Sequence, residues 1–190
     1  MMSNSQMGAT PSQTIGPFFK FGTEWIAEEE IAAAGQLGTI TLLGAVYDGA
    51  GNPVPDAMLE IWQADENGHF PPDTSESWVG FARRLTDSNG GYKIHTVKPG
   101  PVLAASGEVQ APHIFMVVFT RGLLKPVFTR VYFSDESDAN ANDPLLNAVE
   151  DLQARSTLLA SVESQSTYRF DVRLQDSSRG PETQFFSFDN

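Results

Sequence analysis

The sequence contains no cysteine, and this absence excludes several kinds of chemistry at once. Disulfide bonds, thiolate metal sites and a cysteine nucleophile all need the missing sulfur. The glycine-rich phosphate loops and the Gly-x-Ser-x-Gly motif are also absent, so nucleotide binding and serine-hydrolase chemistry lack their usual signatures. No apolar run approaches the length of a membrane span, and the polar stretch from Met1 to Thr10 lacks the features of a signal peptide. A soluble, cytoplasmic protein is expected.

Basic residues are scarce. The chain has 12 Lys and Arg against 24 Asp and Glu, a formal net charge of -12. Phosphate backbones and anionic lipid surfaces would be repelled at long range, so neither nucleic acid nor a membrane is an expected partner. An anionic aromatic acid would be repelled too, and a site for one must concentrate positive charge locally, on an arginine or a metal ion.

Short β-rich segments separated by turn residues fill the chain from Thr39 onward. This rhythm, in 190 residues without a low-complexity break, predicts an all-β, mostly antiparallel sandwich at 39–190, preceded by an N-terminal arm and short helix at 1–38 that contacts another subunit. The predicted strands are Thr39 to Asp48, Met58 to Gln63, Phe81 to Thr86, Tyr92 to Val97, His113 to Thr120, Val127 to Phe133 and Tyr168 to Leu174. A few short helices are predicted, over Glu24 to Ala34 and within Asp143 to Ala160.

Two of these segments carry stronger signals. Asp87 to Gly90 contains an Asn-Gly pair that tolerates the positive φ of a tight turn, which predicts a hairpin between the strands on either side. His113 to Thr120 is almost wholly apolar and predicts a central strand covered on both faces, with Val127 to Phe133 as its neighbour.

The three histidines, His69, His95 and His113, show no i,i+2 or i,i+4 spacing and so form no local metal-ligand pair. Taken alone, each is more often a packed or surface histidine than a ligand. The segment Asp65 to Gly68 has the composition of a calcium loop, but Gln63 and Thr74 stand where acidic ligands are needed, so an ordinary turn is predicted.

Five segments, read together, resemble segments that recur in the same order in the intradiol aromatic-ring dioxygenases. They are Thr10 to Pro17 (TPSQTIGP), Leu59 to Asp65 (LEIWQAD), Leu85 to Tyr92 (LTDSNGGY), Thr96 to Pro101 (TVKPGP) and Pro112 to Ile114 (PHI). The resemblance covers most of the chain, and five ordered matches are far more specific than any one of them. It implies a β-sandwich that takes part in cleaving a catechol between its hydroxylated carbons with molecular oxygen.

The resemblance implies an iron site with two tyrosine and two histidine ligands. Phenolate oxygen suits ferric iron, and the imidazole nitrogens complete its coordination. Matching the motifs places these four positions at Phe70, Val102, His113 and Phe115, so only His113 is still a residue that can bind iron. Phenylalanine and valine side chains carry no lone pair, and a single imidazole is too little to hold ferric iron. His69 is no substitute for the lost tyrosine beside it, since adjacent strand residues point to opposite faces.

The resemblance therefore implies the iron-free α subunit of a two-subunit member of the family. An iron-bearing β subunit would hold Fe(III), with none in this chain, and the active site would lie between the two. The reaction implied is the conversion of protocatechuate and oxygen to 3-carboxy-cis,cis-muconate in aromatic catabolism.

The resemblance implies that this chain forms part of the active-site wall, through Thr14, Gly16, Pro17 and Arg121. A Gly-Pro pair brings backbone close at a preset φ, threonine offers a hydroxyl, and guanidinium donates paired, permanently charged hydrogen bonds. Without the resemblance, the Thr14 to Pro17 stretch reads as a turn in a loose terminus, and Arg121 as a surface arginine at a strand end. The aromatic cluster Phe18, Phe19 and Phe21 is expected to anchor the arm at an interface.

Two alternatives remain open at this level. A metal-free sandwich that binds ligands or partners without enzyme activity has the same strand pattern. A self-sufficient dioxygenase with an altered iron site would share the same motifs. Iron content and ring-cleavage activity, measured with and without the partner, separate all three.

Overall fold

The computed structural model describes residues 13–16, 18–23, 31–32, 38–71 and 80–187. Pro17 and most of the helix predicted from Glu24 to Ala34 lie outside these residues. The strands are β1 Thr39–Tyr47, β2 Met58–Trp62, β3 Phe81–Leu85, β4 Gly91–Val97, β5 Val102–Leu103, β6 Val109–Gln110, β7 His113–Phe119, β8 Val127–Phe133, β9 Leu159–Ser164, β10 Thr167–Arg169 and β11 Val172–Arg173. The helices are α1 Phe18–Thr23, α2 Ser137–Asn142, α3 Pro144–Ala148 and α4 Leu152–Ser156. None of the described helices is long and apolar enough to span a membrane.

One long sheet forms most of the molecule, in the order β11-β1-β10-β9-β8-β7-β2-β3, with β4 also paired to β1. Its ladders are antiparallel except where β1 meets β10 and β11 and where β8 meets β9. Alternate side chains of these strands pack into the main core, with Leu42, Leu59, Ile114, Met116 and Val131 fully buried. The predicted all-β, mostly antiparallel architecture is confirmed.

Strand β7 is central, as predicted, with β2 on one side and β8 on the other. Its residues alternate between two faces. Ile114, Met116 and Val118 are buried in the core, whereas Phe115, Val117 and Phe119 are half-buried on the outer face. That outer face carries Phe115, one of the positions matched to an iron ligand.

The hairpin predicted at Asp87 to Gly90 is wrong, although the turn itself is present. Asp87 accepts the N–H groups of Asn89 and Gly91 at 2.8 and 2.9 Å, and Gly90 has a φ of +71°, as the Asn-Gly signal requires. However, β3 pairs with β2 while β4 pairs with β1, at opposite ends of the sheet order. Local residues dictate the turn, but the pairing partner is a long-range choice.

The C-terminal third differs from the prediction in one place. The strand predicted from Tyr168 to Leu174 is interrupted, because the side chain of Asp171 accepts the N–H of Ala45 at 3.0 Å in place of a ladder bond. The short helices predicted within Asp143 to Ala160 are present as α3 and α4, and the Thr157 hydroxyl closes α4 by donating a 2.6 Å bond to the carbonyl of Ala154. The alternating burial of Phe170 and Val172 against half-exposed neighbours is nevertheless as predicted.

Candidate functional site

The N-terminal arm lies against the turn that follows β7. The hydroxyl of Thr14 donates to the carbonyl of Arg121 at 2.7 Å, and the N–H of Ile15 donates to the carbonyl of Leu123 at 2.9 Å. Gly16 follows with a φ of +72°, a conformation that favours glycine. Phe19 then packs its ring 6.2 Å from that of Phe119. Two candidate residues 107 positions apart, Thr14 and Arg121, are therefore neighbours.

The side chain of Arg121 is 60% exposed at this end of the sheet. Its Nε donates to Oδ2 of Asp56, a residue only 8% exposed. Asp56 was not predicted as a site residue, since a Pro-Asp pair before β2 reads as an ordinary turn. Because Asp56 takes the Nε edge, it fixes the direction of the guanidinium and leaves the Nη edge toward solvent.

The four positions matched to iron ligands also come together, on the outer face around β7. His113 and Phe115 are two residues apart on one strand, and Trp62, opposite Phe115 on β2, stacks on Phe70 with ring centroids 6.1 Å apart. A Cβ on Gly68 would sit 2.0 Å from the carbonyl oxygen of Pro101, so the loop that carries Phe70 closely approaches the start of β5 at Val102.

This arrangement does not fit ferric iron. Phe70, Val102 and Phe115 supply no donor atom, and within the described residues no group of three or more His, Cys, Asp or Glu side chains is placed to hold a metal ion. His69 is no substitute, because its ring lies on the exposed side of the loop, 3.8 Å from Asp65. Asp65 itself closes an ordinary turn by accepting the N–H groups of Asn67 and His69.

His113 is buried, 6% exposed, with Nδ1 2.7 Å from the carbonyl oxygen of Ala111. A carbonyl only accepts, so Nδ1 carries the proton and the remaining lone pair is on Nε2. Burial, reinforced by the nearby charge of Arg130, lowers the pKa of His113 to about 4. His113, the one matched position that still carries a donor atom, is therefore a neutral, packed imidazole.

The buried His113 predicts a stability that falls in mild acid. In the unfolded chain its pKa is near 6.5, so between about 6.5 and about 4 the unfolded state binds more protons and folding weakens as the pH drops. We expect His113 to contribute a loss of no more than about 3 kcal/mol across this window. Denaturant unfolding of wild type and His113→Gln at several pH values measures this contribution, and identical pH slopes in the two proteins would contradict it.

A polar network that sequence reasoning missed lies behind His113. Asp143 is fully buried and accepts bonds from the Tyr132 hydroxyl at 3.0 Å, the N–H of Ala111 at 2.8 Å and the N–H of Leu146 at 2.7 Å. Burial raises the pKa of Tyr132, which therefore stays a neutral hydroxyl. The Asp143-Pro144 pair at the start of α3 was the available signal, since aspartate before proline is a typical helix cap.

Comparison with known proteins agrees with the fold and the motifs. A family model described as Dioxygenase matches residues 16–176. The protocatechuate 3,4-dioxygenase alpha chain of Pseudomonas putida is 41% identical over 94% of this chain and 96% of its own length. The alpha chain of the same name from Burkholderia cepacia is 44% identical over 93% and 96%. The catechol 1,2-dioxygenase structure from Acinetobacter sp. ADP1 superposes with a TM-score of 0.59 at 19% identity, over 97% of this chain and 68% of that one, which shows a shared fold.

The matched model spans most of the chain, and both relatives align over nearly their whole length. The predicted strands and the degenerate ligand positions lie within the matched residues 16–176, whereas the first motif, Thr10 to Pro17, lies mostly before them. The chain belongs to the intradiol dioxygenase family.

Proposed function

We propose that this chain is the non-iron α subunit of a protocatechuate 3,4-dioxygenase, acting in cytoplasmic aromatic catabolism. It supports the intradiol cleavage of protocatechuate by oxygen to 3-carboxy-cis,cis-muconate, beside a β subunit that holds Fe(III). Both oxygen atoms enter the product, so no further reductant is required. The alpha-chain names of two relatives aligned over their full length support this assignment.

One observation carries the division of labour. The family depends on iron, yet in this chain three of the four matched ligand positions are Phe70, Val102 and Phe115. Phe70 stacks on Trp62, Phe115 stacks on Phe128, and Val102 is buried. Side chains without lone pairs hold no ferric ion. The redox chemistry is therefore the partner's, and this chain contributes binding and orientation.

The contribution from this side is the Thr14 and Arg121 pair. The Nη edge of Arg121 would donate two charge-assisted hydrogen bonds to a carboxylate or enolate oxygen of the aromatic substrate. Asp56 restrains the guanidinium from behind, and Thr14 ties the arm to the same turn. In a chain of net charge -12, such a restrained cation is what an anionic substrate needs. Gly16 and Pro17 would complete the wall by close backbone approach.

Reconstitution tests the proposal. We expect the purified chain alone to consume no oxygen with protocatechuate, and the mixture with its iron-bearing β subunit to form 3-carboxy-cis,cis-muconate. Activity of this chain alone would support a self-sufficient dioxygenase instead. If the β subunit is equally active with and without this chain, then this chain is a binding module without an enzymatic role.

The arm is proposed as an inter-subunit contact, and the structure sharpens which aromatic residue to test. Phe19 covers Phe119 of its own chain, whereas Phe18 is 80% exposed. We expect deletion of residues 1–21 to weaken assembly with the β subunit, and Phe18→Ala alone to weaken it by about tenfold, as loss of a buried aromatic anchor does. Leu152→Ala, on α4 and 73% exposed, is the matched control. Sedimentation of mixed subunits measures the effect, and a deleted chain that assembles as tightly as wild type would remove the arm from the interface.

A further inference from the structure

Arg130 on β8 has an unusual position, because it is a half-buried cation without an acidic partner. Its Nη1 donates two long hydrogen bonds to neutral groups, 3.3 Å to Oε1 of Gln110 and 3.4 Å to the hydroxyl of Tyr132. Within the part of the chain that the structure describes, no carboxylate lies within salt-bridge distance of it. Asp143, the nearest acid in the network, is reached only through Tyr132. The Nε and Nη2 donors of Arg130 are thus available to a ligand.

The position of Arg130 coincides with the degenerate metal site. Strand register places Arg130 opposite Phe115, and Tyr132 opposite His113. Gln110, which accepts from Arg130, stands opposite Val102 on the small β5-β6 ladder. Arg130 and its two hydrogen-bond partners are therefore each the ladder neighbour of a former ligand position. A guanidinium cation of the protein occupies the region where the family's motif places a metal cation.

An aromatic surface adjoins this cation. We define the aromatic shelf as Trp62, Phe70 and Phe115. Trp62 and Phe70 are stacked at an interplanar angle of 8°, and Trp62 is 39% exposed. Trp62 and Arg130 flank Phe115 on the same face, on strands roughly 10 Å apart, which is two strand spacings. A planar ring on the shelf would thus direct a carboxylate toward the guanidinium.

The other charged groups on this face do not compete for such a ligand. Glu60, two residues before Trp62 on the same face of β2, forms an ion pair with Arg83. His113 is held by the Ala111 carbonyl, and Asp143 is fully buried behind Tyr132. Arg130 therefore keeps donors for a ligand on this face, although the chain as a whole is strongly acidic.

We propose that the degenerate metal site binds an aromatic carboxylate without metal, with the carboxylate on Arg130 and the ring on the aromatic shelf. Guanidinium donates to carboxylate in a paired, charge-assisted geometry, and aromatic rings stack on tryptophan in an offset arrangement. The site is separate from the Arg121 wall and needs neither iron nor a partner subunit. It thus goes beyond the proposed function and stands or falls independently of it.

The test uses the full-length chain without its β subunit and 4-fluorobenzoate as the probe, followed by fluorine NMR titration. Neutral 4-fluorobenzamide keeps the ring and shape but loses the charge, while acetate keeps the carboxylate and loses the ring. We expect 4-fluorobenzoate to bind at least about tenfold more tightly than either, as one charge-assisted pair and one stacked ring predict. Equal affinity for 4-fluorobenzoate and 4-fluorobenzamide would overturn the proposal.

Variants locate the site. We expect Arg130→Met to weaken 4-fluorobenzoate binding by at least about tenfold, Arg130→Lys to weaken it less, and Trp62→Leu to weaken it severalfold. Arg173→Met is the matched control, since Arg173 is also half-buried and stacks on Tyr47 on another strand. If Arg130→Met fails to fold, Trp62→Leu and the benzamide comparison decide. Undiminished binding to folded Arg130→Met, or loss of binding in Arg121→Met instead, would contradict the assignment.

Discussion

Replacing Arg121 with alanine in the intact, iron-loaded αβ complex is expected to lower kcat/KM for protocatechuate by roughly 30- to 1000-fold. The loss corresponds to about 2–4 kcal/mol, which applies if the contact strengthens in the transition state and leaves substrate oxygens unpaired when removed. The variant also leaves Asp56, 8% exposed, without its cation, so an uncompensated negative charge remains beside the site.

Three further variants separate the roles of charge and geometry. Arg121→Lys keeps the charge but loses the planar fork, so it should rescue only part of the rate. Asp56→Asn removes the restraint on Nε and should raise KM more than it lowers kcat, because the guanidinium is less well aimed. Arg169→Ala is the control, since Arg169 is similarly exposed and ion-paired, to Glu163, but lies on β10. Steady-state kinetics with matched iron content measures all four, and unchanged kcat and kcat/KM in Arg121→Ala would remove Arg121 from the site.

The strands were predictable where a short β-rich segment stands between turn residues. The segment Val127 to Phe133, predicted as the neighbour of the almost wholly apolar strand at His113, has the boundaries of β8. The turn at Asp87 was equally clear, since aspartate and glycine dictate its local hydrogen bonds. Its strands nonetheless pair with β2 and β1, because strand pairing depends on contacts far away in the chain.

The site was predictable only as far as the family motifs reach. Nothing in the local spacing brings Thr14 to Arg121, and only the resemblance implies that they share one wall; the hydrogen bond between them makes them neighbours. Asp56 and Arg130 were missed because each acts through partners in distant segments: Asp56 through Arg121, and Arg130 through Gln110 and Tyr132. From the local sequence, a charged residue beside proline indicates a turn, and one within a strand indicates a solvent-exposed face. Only the tertiary fold shows which of these charges are held in place.

The second large effect concerns iron, and it is all or none. Phe70, Val102 and Phe115 give no lone pair, and Arg130 places a positive charge opposite Phe115, so a ferric ion would meet both missing ligands and repulsion. Phe70 packs on Trp62 and Phe115 packs on Phe128, so apolar rings fill both of these ligand positions. We therefore expect the iron of the complex to follow the β subunit alone.

The most direct measurement is the iron content and visible spectrum of this chain, expressed and purified by itself in iron-rich medium and compared with the αβ complex. The account predicts iron far below one per chain and no tyrosinate-to-iron charge-transfer band in the isolated chain, with one iron per β subunit and a visible band in the complex. Stoichiometric ferric iron with a visible charge-transfer band in the isolated chain would contradict it.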